Sequence, residues 1–216
     1  MDRFNQNIPS VTPDPELRLL MNKNYEEYEK TFECKGYDRG WVYGNTRFSF
    51  THYIYSLIEY YSINTVYEIG TFKGASVMML MNYFLNHNKS SFYLHSIDST
   101  NHMSLFNFSM KTIIRYLTFR KSIRFQLGDS TTNTLDSDYD LVIIDGSHKA
   151  KDVKADFDNV KCRAKFVLFD DLNYKNIFEK VYQPLLMSKS YDEIFRTYTS
   201  DPDLPHCIGL VRSIKN

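Results

Sequence analysis

From Asn64 onward the chain alternates short apolar runs with longer stretches of helical periodicity, and this alternation limits its possible folds more than any other feature. The runs are nearly continuous and rich in β-branched or aromatic residues, which is typical of parallel strands buried on both faces. They are VYEI (66–69), FYLHSI (92–97), IRFQL (123–127), LVII (141–144) and FVLF (166–169). Because strands that alternate with helices form βαβ units, we expect an α/β fold with a doubly wound, Rossmann-like, mostly parallel sheet.

Helical periodicity fills the intervals between these runs. It predicts helices over 75–86, 104–118, 150–160 and 174–187. Two further apolar segments, 192–198 and 207–213, are joined by a short stretch containing DPDLP. They predict a C-terminal antiparallel hairpin that closes the edge of a seven-stranded sheet.

The first 60 residues have a different texture. Residues 1–15 hold three of the six prolines and few apolar residues, which predicts an arm. Helical spacing over 16–32 and 51–61 flanks a segment with three glycines and the single Trp, 34–49, which predicts a loop or lid. We therefore divide the chain into an N-terminal arm, helix and lid segment (1–60) and an α/β domain (61–216).

Composition excludes several classes of protein. The formal net charge is zero, which argues against a nucleic-acid partner, and 43% hydrophobic residues suffice for a packed core. No apolar run approaches the roughly 18 residues of a membrane helix, and the first 20 residues lack a signal peptide's apolar core. The three cysteines form neither a zinc spacing nor a disulfide framework. We expect a cytoplasmic protein with no membrane partner.

Each buried run carries an acid within it or just after it. In an open α/β sheet, ligands bind outside the carboxyl ends of the strands, so these acids are expected to line one edge. Single acids often follow strands only to start turns or cap helices, but so many at one edge favour a functional site. They are Glu68, Asp98, Asp129, Asp145 and the pair Asp170–Asp171.

The segment VYEIGTFKGASV is the sharpest local motif. Gly70 permits a tight turn after the strand, Gly74 permits close packing at the helix start, and the helix N-terminus offers free N–H groups to an anion. The middle glycine of a dinucleotide motif is replaced by Phe72, and Ala75–Ser76 does not match a P-loop. The motif therefore favours a ligand with a carboxylate and no diphosphate.

Taken together, E-I-G-T-F-K-G-A-S, Asp98 at the end of the second strand and Gly128-Asp129-Ser130 after the third resemble the class I S-adenosylmethionine-dependent methyltransferases. The stretch YDLVIIDGSHKAKDVKADF (139–157), followed by FVLFDD (166–171), is similar to their small-molecule O-methyltransferase branch. That branch includes catechol O-methyltransferase-like and sugar O-methyltransferase-like enzymes. The resemblance covers about residues 60–213.

The resemblance implies S-adenosyl-L-methionine as cofactor. Its methionine part would be held by Glu68, Gly70, Thr71, Gly74 and Ser76, its ribose by Asp98, and its adenine by Asp129 and Ser130, with Asp145 also near the cofactor. In metal-dependent members, acids at the positions of Asp145, Asp170 and Asp171 bind a divalent cation. His148, three residues after Asp145, takes the position of the catalytic base beside that acid.

The chemistry of these residue types agrees with those roles. Three carboxylates completed by water suit a hard cation such as Mg²⁺. A histidine suits proton removal at neutral pH. His148 could instead cap the following helix, and Asp170–Asp171 could cap the helix after them. The other histidines (52, 87, 95, 102 and 206) show no ligand spacing and receive no role.

We therefore expect a divalent-metal-dependent O-methyltransferase of a small-molecule hydroxyl, first a sugar or sugar nucleotide and second a catechol-like ring. Three alternatives stay open: an RNA methyltransferase, a non-catalytic module and a hydroxylase-like enzyme on the same fold. Neutral charge and the absence of an N-P-P-Y type motif disfavour the first. A homodimer is compatible with the sequence, and the acceptor is not identified by it.

Overall fold

The structure is a computed structural model that describes residues 8–33, 51–71, 74–89, 91–101, 110–199 and 206–214. The lid expected at 34–49 lies outside these residues, as do the first seven residues of the arm. Within the described ranges, no helix is both long enough and apolar enough to cross a membrane.

The described strands form one seven-stranded sheet in the order β3-β2-β1-β4-β5-β7-β6. Strands β1 to β5 run parallel, whereas β7 is antiparallel to both β5 and β6. This arrangement confirms the doubly wound α/β fold with a C-terminal antiparallel hairpin. The strands are β1 (Thr65–Ile69), β2 (Tyr93–Asp98), β3 (Ile123–Leu127), β4 (Tyr139–Ile144), β5 (Ala164–Phe169), β6 (Tyr191–Tyr198) and β7 (Cys207–Ser213).

The helices are α1 (Pro15–Glu33), α2 (Thr51–Tyr60), α3 (Ala75–Asn86), α4 (Met110–Phe119), α5 (Ala150–Val160) and α6 (Gln183–Met187). One prediction was wrong: the helix expected from Tyr174 begins only at Phe178, as a π-helical turn that continues into α6. Lys175 and Asn176 have φ values of 43° and 63°, which a right-handed helix does not allow. Lys175 and Asn176 therefore form a turn before the helix.

Apolar clusters cover both faces of the sheet, which explains why its strands are nearly continuous apolar runs. In β4, Leu141 and Ile143 face a cluster that includes residues of α1, α2 and α3. Val142 and Ile144 face the opposite cluster, which includes residues of α5 and the segment before α6. Because successive side chains of a strand point to opposite faces, both faces demand apolar residues.

The described part of the first 60 residues packs on this sheet. Leu17 and Met21 of α1 belong to the same cluster as the inner strands. Further towards the N-terminus, Val11 forms a β-bridge with Arg196 of β6. The Arg196 guanidinium donates from Nε to the carbonyl of Pro9 over 2.7 Å, which ties the start of the chain to the edge strand.

Candidate functional site

Backbone hydrogen bonds continue one residue beyond the carboxyl ends of the parallel strands. The amides of Asp170, Asp145 and Gly70 donate to the carbonyls of Ile144, Ile69 and Ile97 over 3.1, 2.9 and 2.9 Å. The amide of Gly128 similarly donates to the carbonyl of Asp98 over 2.9 Å. The residues that follow β3, β1, β4 and β5 therefore lie in register at one edge, together with Asp98 at the end of β2.

Gly70 packs against the backbone at the end of β4. It has φ 105°, and a β-carbon there would lie 2.1 Å from the carbonyl oxygen of Asp145. Gly146 meets the same junction from the other side, because a β-carbon at that position would lie 2.9 Å from Ile69 Cγ2. The two glycines bring the loops after β1 and β4 together, so Asp145 sits beside the first motif.

Glu68 is buried beneath the loop that follows β1. Its Oε2 accepts a hydrogen bond from Ser96 over 2.6 Å, and the Ser96 hydroxyl lies 2.6 Å from Thr71 Oγ1. Burial raises the pKa of Glu68 to about 7, although hydrogen bonds from Ser76 and Ser96 act in the opposite direction. The carboxyl group thus lies in one hydrogen-bonded cluster with the hydroxyls of Thr71, Ser76 and Ser96. Sequence reasoning missed Ser96, whose signal is its register position opposite Glu68.

The loop ends at the N-terminus of α3. Gly74 has φ 76° and precedes the first residue of the helix, and no side chain among the described residues caps it. The first turn of a helix has N–H groups without intrahelical partners, and the helix dipole favours an anion there. This end of α3 is suited to a carboxylate.

Asp98 and Asp129 adopt the same turn at the ends of β2 and β3. Asp98 Oδ1 accepts from the amide and hydroxyl of Thr100 over 2.9 and 3.1 Å. Asp129 Oδ1 accepts from the amide and hydroxyl of Thr131 over 2.9 and 2.7 Å. The bonds from Thr131 lower the pKa of Asp129, which keeps its carboxylate charged.

Helix α5 holds the segment that follows β3. Asn159 Nδ2 donates to the carbonyls of Ser130 and Thr131 over 2.9 and 2.6 Å. Asp156 is buried on the same helix, where burial raises its pKa to about 6 and a hydrogen bond from Ser130 opposes that shift. Sequence reasoning missed both α5 residues. Their spacing of three residues, which places them on one helix face, was the available signal.

Asp171 lies between two histidines. Its Oδ1 accepts a hydrogen bond from His206 Nδ1 over 2.5 Å, and its Oδ2 lies 2.6 Å from His148 Nδ1. The His148 side chain is 46% exposed, and its ring contacts Tyr174 edge-on at a centroid distance of 5.4 Å. Asp171 therefore occupies the Nδ1 side of the His148 ring.

Three of the side chains at this edge bring oxygen and nitrogen donor atoms close together. Donor atoms of Asp170, Asp171 and His206 all lie within 4.8 Å of one another, and all three residues are buried. Asp145 does not belong to this group, although its backbone is paired at the neighbouring strand end. Sequence reasoning gave His206 no role, since β7 brings it across 35 residues of chain to Asp171.

Two carboxylates and an imidazole fit a divalent cation, because carboxylates suit hard ions and imidazole suits the first-row transition ions. The buried positions of the three side chains favour ligation over solvation.

Comparisons with known proteins agree with this geometry. The sequence model of a family described as "Methyltransferase domain" matches residues 67–172, which span β1 to the residues just after β5. An O-methyltransferase from Bacillus cereus, solved with SAH, has a TM-score of 0.58 at 14% identity, covering 94% of this chain and 93% of that chain.

Two further solved structures share the fold. A protein from Staphylococcus aureus assigned as a caffeoyl-CoA O-methyltransferase has a TM-score of 0.55 at 16% identity, covering 93% of this chain and 100% of that chain. The N-methyltransferase NodS from Bradyrhizobium japonicum, in complex with S-adenosyl-L-homocysteine, has a TM-score of 0.54 at 14% identity, covering 88% of this chain and 98% of that chain.

Among curated proteins, none matches the sequence significantly. The family match and the sheet topology nevertheless agree with the motifs on β1, β2 and β3. The chain therefore has the fold of the class I S-adenosylmethionine-dependent methyltransferases, and residues 67–172 match the methyltransferase-domain family.

Proposed function

We propose that the protein is an O-methyltransferase that transfers a methyl group from S-adenosylmethionine to the hydroxyl of a small molecule with the help of a divalent cation. The observation that carries this proposal is the contact between Asp171 and His148. It holds an exposed imidazole at the edge where the cofactor motifs and the metal-ligand group also lie.

The cofactor would lie across the carboxyl ends of β1, β2 and β3. Glu68 and Ser76 would receive the methionine part together with the loop of Gly70, Thr71 and Gly74. The N-terminus of α3 would face the carboxylate of that part. Asp98 would accept hydrogen bonds from the ribose hydroxyls, and the Asp129–Ser130 segment, held by α5, would border the adenine. Asp145, beside Gly70, would lie near the reacting end.

His148 would accept the proton of the acceptor hydroxyl through Nε2, while Asp171 fixes the orientation of its ring. S-adenosylmethionine supplies a methyl group on a sulfonium; the oxygen–carbon bond forms as the sulfur–carbon bond breaks, and S-adenosylhomocysteine is left. Asp170 and Asp171, with Asp145 at the neighbouring strand end, would hold a divalent cation, which would supply Lewis acidity that lowers the pKa of the hydroxyl. The protein's main contribution is the alignment of the reacting atoms.

The choice of a sugar or sugar nucleotide as acceptor is supported by the likeness of IDGSH and FVLFDD to the small-molecule branch. A catechol-like ring is the second choice on the same grounds. The solved N-methyltransferase of the same fold shows that the fold alone does not select oxygen, so the acceptor atom has to be read from the product.

Calorimetric titration of the full chain with S-adenosylmethionine tests the cofactor part. We expect saturable binding in the wild type and affinity weakened roughly tenfold or more in Asp98→Asn, which removes a charged acceptor from the ribose position. The matched control is Asp138→Asn. Asp138 directly precedes β4, away from the site, and it is exposed and pairs with Arg163. Absence of binding at millimolar cofactor would exclude the function.

Transfer itself is measured by incubating the protein with cofactor carrying a labelled methyl group and a panel of sugars, sugar nucleotides and catechols. His148→Gln should lower turnover roughly 100-fold and leave cofactor affinity unchanged, because it removes the base and not the cofactor contacts. His87→Gln, at the far end of α3, is the control. Equal turnover of His148→Gln and wild type would reject the assigned base.

A further inference from the structure

The metal-ligand group of this chain differs from the three-acid set that the family resemblance implies. A buried imidazole, His206, joins Asp170 and Asp171, whereas Asp145 stands outside the group. His206 is fully buried, and its Nδ1 lies 2.5 Å from Asp171 Oδ1.

Backbone hydrogen bonds fix the position of His206 on both of its sides. Its amide donates to Thr199 Oγ1 over 3.1 Å, and its carbonyl accepts from the Thr199 amide over 2.8 Å. On the other side, the Leu172 amide donates to the Cys207 carbonyl over 2.8 Å, and Asn173 Oδ1 accepts from the Cys207 amide over 2.9 Å. The start of β7 is therefore fastened to the segment that carries Asp170 and Asp171.

The two carboxylate oxygens of Asp171 contact different histidines. Oδ1 faces His206 inside the group, and Oδ2 faces His148, which is half-exposed and outside it. The two histidines touch the same carboxylate, but only His206 is placed among the ligands. His148 is therefore a matched comparison for any effect that His206 has on metal binding.

We propose that His206 is a nitrogen ligand of the cation in this site, and that the site consequently binds a first-row transition ion such as Co²⁺ or Mn²⁺ more tightly than Mg²⁺. Imidazole favours transition ions, whereas Mg²⁺ prefers an all-oxygen shell that retains several waters. The inference deepens the proposed function, because it concerns the cation of the same site. It concerns binding alone and does not depend on methyl transfer.

The test is metal binding by the full chain after treatment with EDTA and removal of the chelator. Co²⁺ and Mg²⁺ are titrated separately by calorimetry, and the ligand-field absorption of Co²⁺ reports directly on nitrogen ligation. We expect Co²⁺ to bind at least roughly tenfold more tightly than Mg²⁺. His206→Asn should weaken Co²⁺ binding roughly tenfold and alter its absorption, while Mg²⁺ affinity changes little, because the amide oxygen replaces the imidazole nitrogen.

His148→Asn should leave the Co²⁺ spectrum and the preference for Co²⁺ unchanged, whereas Asp170→Asn should weaken both ions. Far-UV circular dichroism checks that each variant folds, and His206→Gln is the second variant if His206→Asn does not. Tighter binding of Mg²⁺, no metal binding at all, or a preference for Co²⁺ that persists without His206 would each overturn the proposal.

These outcomes are separable from a failure of the proposed function. Cofactor binding and methyl transfer without the Co²⁺ preference would reject the role of His206 and retain the methyltransferase. A Co²⁺ preference that depends on His206, in a protein that does not bind S-adenosylmethionine, would support the ligand and reject the proposed function.

Discussion

Gly70 presents its α-carbon to the carbonyl of Asp145, so closely that a β-carbon at position 70 would lie 2.1 Å from that oxygen. Its φ of 105° is also one that side chains rarely adopt. The contact joins the cofactor motif after β1 to the proposed catalytic segment after β4. A displacement of either loop would therefore disturb this contact.

Gly70→Ala is therefore expected to lower the free energy of unfolding by roughly 3 kcal/mol, through backbone strain and displacement of the Asp145 carbonyl. Chemical denaturation measures the change. Gly128→Ala is the control, because a β-carbon there would meet its nearest atom at 3.7 Å, an ordinary contact. Equal stability of the two variants would show that the junction at Asp145 adapts to a side chain.

Glu68 makes the stability of the ligand-free protein depend on pH. Its pKa is about 7 in the folded state against an ordinary value of 4.5, so the folded state holds the proton more tightly than the unfolded state. Its contribution is fully present below pH 4.5 and is lost as the pH rises through 7. Between pH 5 and 8, unfolding free energy should fall more steeply in wild type than in Glu68→Gln, by up to about 3 kcal/mol.

Urea denaturation at each pH measures this difference, with Glu179→Gln, at an exposed position, as the control. Parallel pH profiles for wild type and Glu68→Gln would contradict the assignment. A control profile that matches wild type would confirm that the effect belongs to the buried carboxyl group.

Arg196 should not tolerate replacement by lysine. It is buried, its guanidinium lies 4.6 Å from the centroid of the Phe178 ring, and its Nη1 lies 3.4 Å from Glu193 Oε1. Its Nε also donates a hydrogen bond to the carbonyl of Pro9. Arg196→Lys loses the planar stacking and the bond to Pro9, so we expect a loss of about 2 kcal/mol in unfolding free energy.

Arg212→Lys is the matched control on the neighbouring strand, because its ion pair with Asp192 is exposed and is expected to contribute less than about 0.5 kcal/mol. Thermal or urea unfolding compares the two variants. If Arg196→Lys proves as stable as Arg212→Lys, the attachment of the N-terminal segment does not depend on the guanidinium.

The two described cysteines should differ sharply in reactivity. Cys207 is buried, and burial raises the pKa of its thiol to about 12, whereas Cys162 is exposed. Because the thiolate is the reactive form, iodoacetamide at neutral pH should modify Cys162 in the folded protein and Cys207 only after unfolding. Peptide mapping by mass spectrometry measures both sites. Rapid native modification of Cys207 would contradict its position at the start of β7.

The sequence was sufficient for the features that local periodicity determines. Helices 75–86 and 150–160 and strand 123–127 agree with the structure at both ends, since the apolar spacing that predicts them lies within these segments. The start of the helix expected from Tyr174 was wrong, because Lys175 and Asn176 adopt left-handed conformations that no local pattern announces.

The site residues also fall into those that the sequence predicted and those that it missed. Asp98, Asp145 and Asp170 were placed on one edge because residues at the carboxyl ends of parallel strands share that edge whatever the loops do. Ser96, Asp156 and His206 were missed, because their contacts depend on the order and register of strands and helices. His206 reaches Asp171 only because β7 lies between β5 and β6.

That position of β7 also means that the sheet is completed by the last strand of the chain. While the ribosome is still making residues before Cys207, β5 has no partner on its outer side, and an open strand edge invites pairing with other chains. The arrival of β7 covers that edge and delivers His206 to the two acids in the same event. A nascent or cleaved chain that ends before this strand would thus lack the outer partner of β5 and also His206, the nitrogen donor of the proposed ion-binding group.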